Sequence, residues 1–90
     1  MSTLADAVVD YLVYNGLFPE QAGQVLERFT AELAKEDHEW PRRIHDESSA
    51  YPLEVRAVLY MRVRPVAVAW IDEKIPKHWA RPMFTEDSTL

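Results

Sequence analysis

Apolar residues recur at spacings of three and four along most of this chain. Leu4, Ala5, Val8, Val9 and Leu12 form the first stripe, which is the spacing of one helix face. It predicts a helix over 3–15. Thr3 can cap the start, and Asp6 is favourable near the positive helix end. Asn15-Gly16 is a stop, because Gly takes the left-handed conformation that closes a helix. Val8, Val9, Tyr11 and Val13 would also suit a strand, but the cap signals favour helix. The second stripe is Ala22, Val25, Leu26, Phe29 and Leu33. Pro19 suits its first turn, and the polar Gln24, Glu27, Arg28, Glu32 and Lys35 fall mostly outside it. The spacing predicts a helix over 19–36. Arg28–Glu32 and Glu32–Lys35 are pairs at helical spacing, each worth only about 0.2–0.5 kcal/mol.

Residues 37–51 are polar, and fifteen residues without structure would be long for a compact domain. The segment is either a functional loop or holds a short helix around 41–47, with Trp40 and Ile44 as anchors. Pro52 then opens a third helical pattern. Leu53, Val55, Val58, Leu59, Val63, Val66, Ala67, Trp70 and Ile71 carry it to about Lys74. Pro65 lies inside it and denies the Met61 carbonyl its backbone partner. That predicts a kink near 61–65, or two shorter helices. The β-branched residues here leave a strand as the lesser alternative. Pro76 ends the element. The tail carries Trp70's neighbours in composition, Trp79, Met83 and Phe84, which are expected to dock over the core, with order through Phe84 and fraying over 85–90.

The expected architecture is therefore all-α: one domain over 1–90, three main helices, a kinked third and a docked aromatic tail. Composition narrows the function. At 90 residues and 48% apolar, the chain can fold as one small domain and has no room for a second. It has no Cys, which removes disulfide scaffolds, thiolate metal sites and Cys nucleophiles. No apolar run approaches the ~20 residues of a membrane span. The opening residues lack a signal-peptide pattern, so a soluble cytoplasmic protein is expected. Three Trp, four Tyr and three Phe are many for so small a core. A homo-oligomer is the common remedy for a marginal core.

The net charge is −5, and it is unevenly placed. Residues 1–40 hold eight acids and two bases, whereas six of the seven Arg lie between Arg42 and Arg81. An acidic chain is a poor binder of duplex nucleic acid. A local Arg cluster can still hold one small anion.

Four constellations bear on chemistry. His38, His45 and the neighbouring acids match no compact zinc spacing, so no metal and no cofactor are expected. Ser48-Ser49 beside His45 and Asp46 reads as a helix-entry cap before Pro52 rather than a triad. With two Gly in the chain there is no phosphate loop, and no catalytic residue or enzyme activity is expected. Arg56, Tyr60 and Arg64 fall at i, i+4 and i+8, on one helix stripe. Two guanidinium forks flanking a phenol suit a phosphate or a flat base. Arg42, Arg43 and Arg81 can add charge to that site, and Trp79 a stacking wall. The plain alternative is that these Arg pair with the Glu-rich second helix or with acids of a neighbouring copy.

The runs Tyr14-Asn15-Gly16-Leu17-Phe18-Pro19-Glu20-Gln21-Ala22, Tyr51-Pro52 and Trp70-Ile71-Asp72, followed by Pro76, Trp79 and Arg81-Pro82-Met83-Phe84, resemble a group of small tailed-phage accessory proteins. The resemblance covers about Leu4 to Phe84, and Pro65 departs from it. It implies a viral protein that works without catalysis inside the infected bacterial host cell. By analogy it implies a homo-oligomeric anti-defence protein that binds and sequesters an immune nucleotide messenger. The other reading is an acidic inhibitor or adaptor, with Glu20, Glu27, Glu32 and Glu36 docking on a host defence protein.

Overall fold

The computed structural model describes residues 3–46 and 51–76. Helix accounts for 79% of it and no strand occurs among the described residues, so the chain is all-α. The elements are α1 (Leu4–Tyr14), α2 (Pro19–Glu36), the one-turn α3 (Trp40–Arg43) and α4 (Leu53–Lys74). The expected ordered tail, with Trp79, Arg81, Met83 and Phe84, lies outside the described residues.

Local chemistry sets the boundaries. The Asp6 N–H donates to Thr3 Oγ1 at 3.0 Å, and the Thr3 N–H donates back to Asp6 Oδ2 at 3.1 Å. This reciprocal pair occupies two donors that a helix start otherwise leaves unpaired. The next donors are met from elsewhere: Leu4 N–H reaches the Asp46 carbonyl and Ala5 N–H the Ile44 carbonyl, at 3.1 and 2.6 Å. The segment after α3 therefore closes the start of α1. At the other end of α1, Gly16 has φ 111°, a backbone state open to Gly at little cost. Its N–H and that of Leu17 return to the Val13 and Leu12 carbonyls. Before α2, Gln21 Oε1 accepts from the Phe18 N–H at 2.9 Å.

Each of the three long helices touches the other two. Arg28 pairs with Glu73 and Arg62 with Glu36, which sets α2 and α4 antiparallel. The shared core holds Leu4, Val8 and Leu12 from α1; Val25, Phe29 and Leu33 from α2; Ile44; and Leu59, Val63, Ala67, Trp70 and Ile71 from α4. Trp40 packs half-buried against it. Both anchors expected of the 37–51 connection thus serve as anchors, around a helix at 40–43.

One helix of 22 residues runs through Pro65 rather than two shorter ones. Pro65 and Met61 both lie on its exposed side. The Met61 carbonyl that loses its backbone donor therefore faces water, which lowers the cost of an interior proline. Two residues of the third apolar pattern are not in the core: Leu53 is 67% and Val58 51% exposed. Met61, at 72%, joins them.

Candidate binding surface on α4

The helical spacing does bring Arg56, Tyr60 and Arg64 onto one stripe of α4. All three are half-buried, along the border of the core face. Tyr60 is fixed by α1: its ring stacks on Tyr11 at 4.6 Å between centroids, with 9° between planes. Such stacking adds about 0.5–1.5 kcal/mol beyond area burial. It also occupies one face of Tyr60, so the stripe presents a tyrosine pair and not a lone phenol. Tyr11 was not among the residues singled out from sequence. Its signal was present, because Leu4, Val8, Tyr11 and Leu12 fall at i, i+4, i+7 and i+8.

Electrostatics separate the arginines into two groups. Four of the six described arginines make ion pairs. Arg28 meets Glu73 at 2.8 Å, Arg42 meets Glu39 at 2.9 Å, Arg43 meets Asp37 at 2.8 Å, and Arg62 meets Glu36. Arg56 and Arg64 pair with no described acid. Arg56 Nε is also buried and has no hydrogen-bond partner among the described residues. Buried polar atoms are normally satisfied. The two free guanidinium groups are eight residues apart, about 12 Å along the helix, with the tyrosine stack between them.

The other sequence-selected residues sit elsewhere. Arg42 and Arg43 lie on α3, engaged with Glu39 and Asp37, and Arg43 stacks 5.6 Å from the Trp40 ring centre. The Glu39 N–H, donating to Asp37 Oδ1, and then the nearby Arg43 hold the Asp37 carboxyl below its ordinary pKa. The Arg28 hydrogen bond does the same for Glu73. Trp79 and Arg81 lie outside the described residues. Among the α2 acids, Glu36 is spent on Arg62 and Glu32 lies 3.9 Å from Lys35.

A second feature lies on another part of α4. Val55, Val58, Leu59 and Arg62, with Trp40 and Glu54, line an open cavity of about 250 Å³ whose exposed wall is almost wholly carbon. None of Arg42, Arg43, Arg56 and Arg64 lines it. Among the described residues no group of three His, Asp or Glu is placed to hold a metal. No described helix is long and apolar enough to cross a membrane.

Comparison with protein-family models, curated proteins and solved structures finds no match. The chain is a small all-α protein in which, among the described residues, two arginines beside a tyrosine stack have no acid partner.

Proposed function

We propose that the protein is a non-enzymatic binding protein that sequesters a nucleotide-type ligand on the Arg56–Tyr60–Arg64 stripe of α4. One observation carries the reading: these two arginines alone, among those described, have no acid partner, and they flank stacked aromatic rings. Guanidinium forks suit phosphate oxygens, and aromatic faces suit bases. The resemblance to small tailed-phage proteins supplies the context, an anti-defence role in the cytoplasm of an infected bacterial cell. The same reading includes a homo-oligomer and a bend of α4 at Pro65. Duplex nucleic acid is a poor partner for a chain of net charge −5.

Native mass spectrometry with a panel of cyclic and linear nucleotides tests the proposal. The expected result is added ligand mass without turnover. Arg56→Ala and Arg64→Ala should each weaken binding by roughly 10- to 100-fold, the worth of a charge-assisted hydrogen bond. No mass gain with any nucleotide, or unchanged affinity in both variants, refutes it.

The acidic-adaptor reading draws less support. Two of its four glutamates, Glu32 and Glu36, are already engaged with bases of this chain, which leaves Glu20 and Glu27 to face a partner.

A further inference from the structure

We infer that Arg56 and Arg64 are two separate anion subsites, and that the ligand of this stripe is a short linear oligonucleotide with a phosphate on each side of the tyrosine pair. The inference rests on the nucleotide-binding reading above and names which nucleotides qualify.

The helix backbone sets the separation. Eight residues advance an α-helix by about 12 Å and turn it about 80° past two full turns. Arg56 and Arg64 therefore leave α4 at different heights and in different directions. For both forks to close on one phosphate, their side chains would have to lean toward each other across Tyr60. That space is taken. Tyr60 stands between them at i+4, and α1 lays the Tyr11 ring on it, 4.6 Å between centroids and 9° between planes. Both tyrosines are half-buried, so two helices hold the pair in place.

Each arginine keeps its own capacity for an anion. Both are half-buried and neither meets a described acid. Arg56 Nε is buried without a described hydrogen-bond partner. Arg62, on the same helix between them, is by contrast spent on Glu36. A guanidinium offers five N–H donors in a fixed fork, which suits one phosphate each.

The ligand chemistry follows from that spacing. The phosphates of a nucleoside triphosphate share bridging oxygens and crowd one end of the molecule, so they fill one subsite. A mononucleotide has a single phosphate. A linear oligonucleotide repeats its phosphates along the chain with bases between them, matching the order cation, aromatic pair, cation. Every base has a π-face, so the tyrosine pair imposes little choice of sequence.

Isothermal titration of the full chain with 5′-AMP, ATP and the 5′-phosphorylated trinucleotide pApApA tests this. The trinucleotide should bind about 10- to 100-fold more tightly than either mononucleotide, the worth of one further charge-assisted contact. This comparison needs no variant. Arg56→Ala and Arg64→Ala should each lower the salt dependence of trinucleotide binding, the slope of log K against log salt, by about 0.7. AMP should lose affinity in one variant and keep it in the other. ATP or AMP binding as tightly as the trinucleotide overturns the inference and leaves the nucleotide-binding reading standing. So does an equal loss of AMP affinity in both variants, which would place both forks on one phosphate. Binding of none of the three refutes the inference together with the reading beneath it.

Discussion

Helices α2 and α4 lie against each other and share one core, yet they spend their side chains differently. On α2 the large apolar residues sit on one side. Ala22, Val25, Phe29 and Leu33 are buried, while Gln24, Glu27, Ala31, Glu32 and Lys35 face water. On α4 a buried face of Leu59, Val63, Ala67, Trp70 and Ile71 coexists with an exposed apolar side of Val58 and Met61. Charge follows the same division. Glu36 and Arg28 of α2 are tied to α4, whereas Arg56 and Arg64 of α4 pair with no described acid. The fold accounts for the buried stripe of α2. It leaves α4 with an apolar side and a cationic stripe that the packing among these helices does not use. Residues beyond what the fold consumes are where binding is to be sought.

The sharpest way to break that contrast is to truncate one residue from each side of it. Phe29→Ala should cost about 3–5 kcal/mol, because a fully buried ring leaves a cavity. Met61→Ala should change the unfolding free energy of a single copy by less than about 0.5 kcal/mol. Urea unfolding of both variants at matched low concentration checks this, and a comparable loss in each would erase the distinction.

Backbone substitutions sharpen it further. Pro65→Ala returns a donor to the Met61 carbonyl and should raise stability by up to about 3 kcal/mol. Gly23→Ala should gain about 0.5–1 kcal/mol, since a Cβ there meets no atom within 4 Å. Thermal unfolding ranks the pair, and a destabilised Pro65→Ala would show that the proline shapes α4 rather than burdening it.

Acid stability probes the ion pairs that tie the elements together. Asp37 and Glu73 both have folded pKa values below the ordinary ones, the first through the Glu39 N–H and then Arg43, the second through Arg28. The unfolded chain therefore takes up protons first as pH falls. Their contribution is complete above about pH 5 and drains away below about pH 4. Glu73→Gln should flatten the acid limb of a stability–pH curve, and an unaltered limb would count against the pair. The smallest expected effect is on the cationic stripe. Arg64→Ala should shift the unfolding free energy by less than about 0.5 kcal/mol while weakening nucleotide binding. A large loss of stability would make Arg64 part of the fold.

Much of this was legible in the residues. The three long helices follow from periodicity. The ends of α1 follow from Thr3, Asp6 and Asn15-Gly16, and the start of α2 from Pro19, because caps and breakers act within one helical turn. The stripe of Arg56, Tyr60 and Arg64 is equally local, being a matter of 100° per residue. Which face a neighbour covers is not local. Leu53 and Val58 read as core from spacing, and α4 has apolar residues on more than one side, so only packing chose the buried one. The Tyr11–Tyr60 stack joins residues 49 positions apart. The pairing of Arg62 with Glu36, which leaves Arg56 and Arg64 as the described arginines without an acid partner, depends on α2 and α4 lying antiparallel. Sequence by itself determined the helices and the residue types each can present. Tertiary structure alone decided which charges cancel and which apolar side stays open, because both depend on distances between segments far apart in the chain.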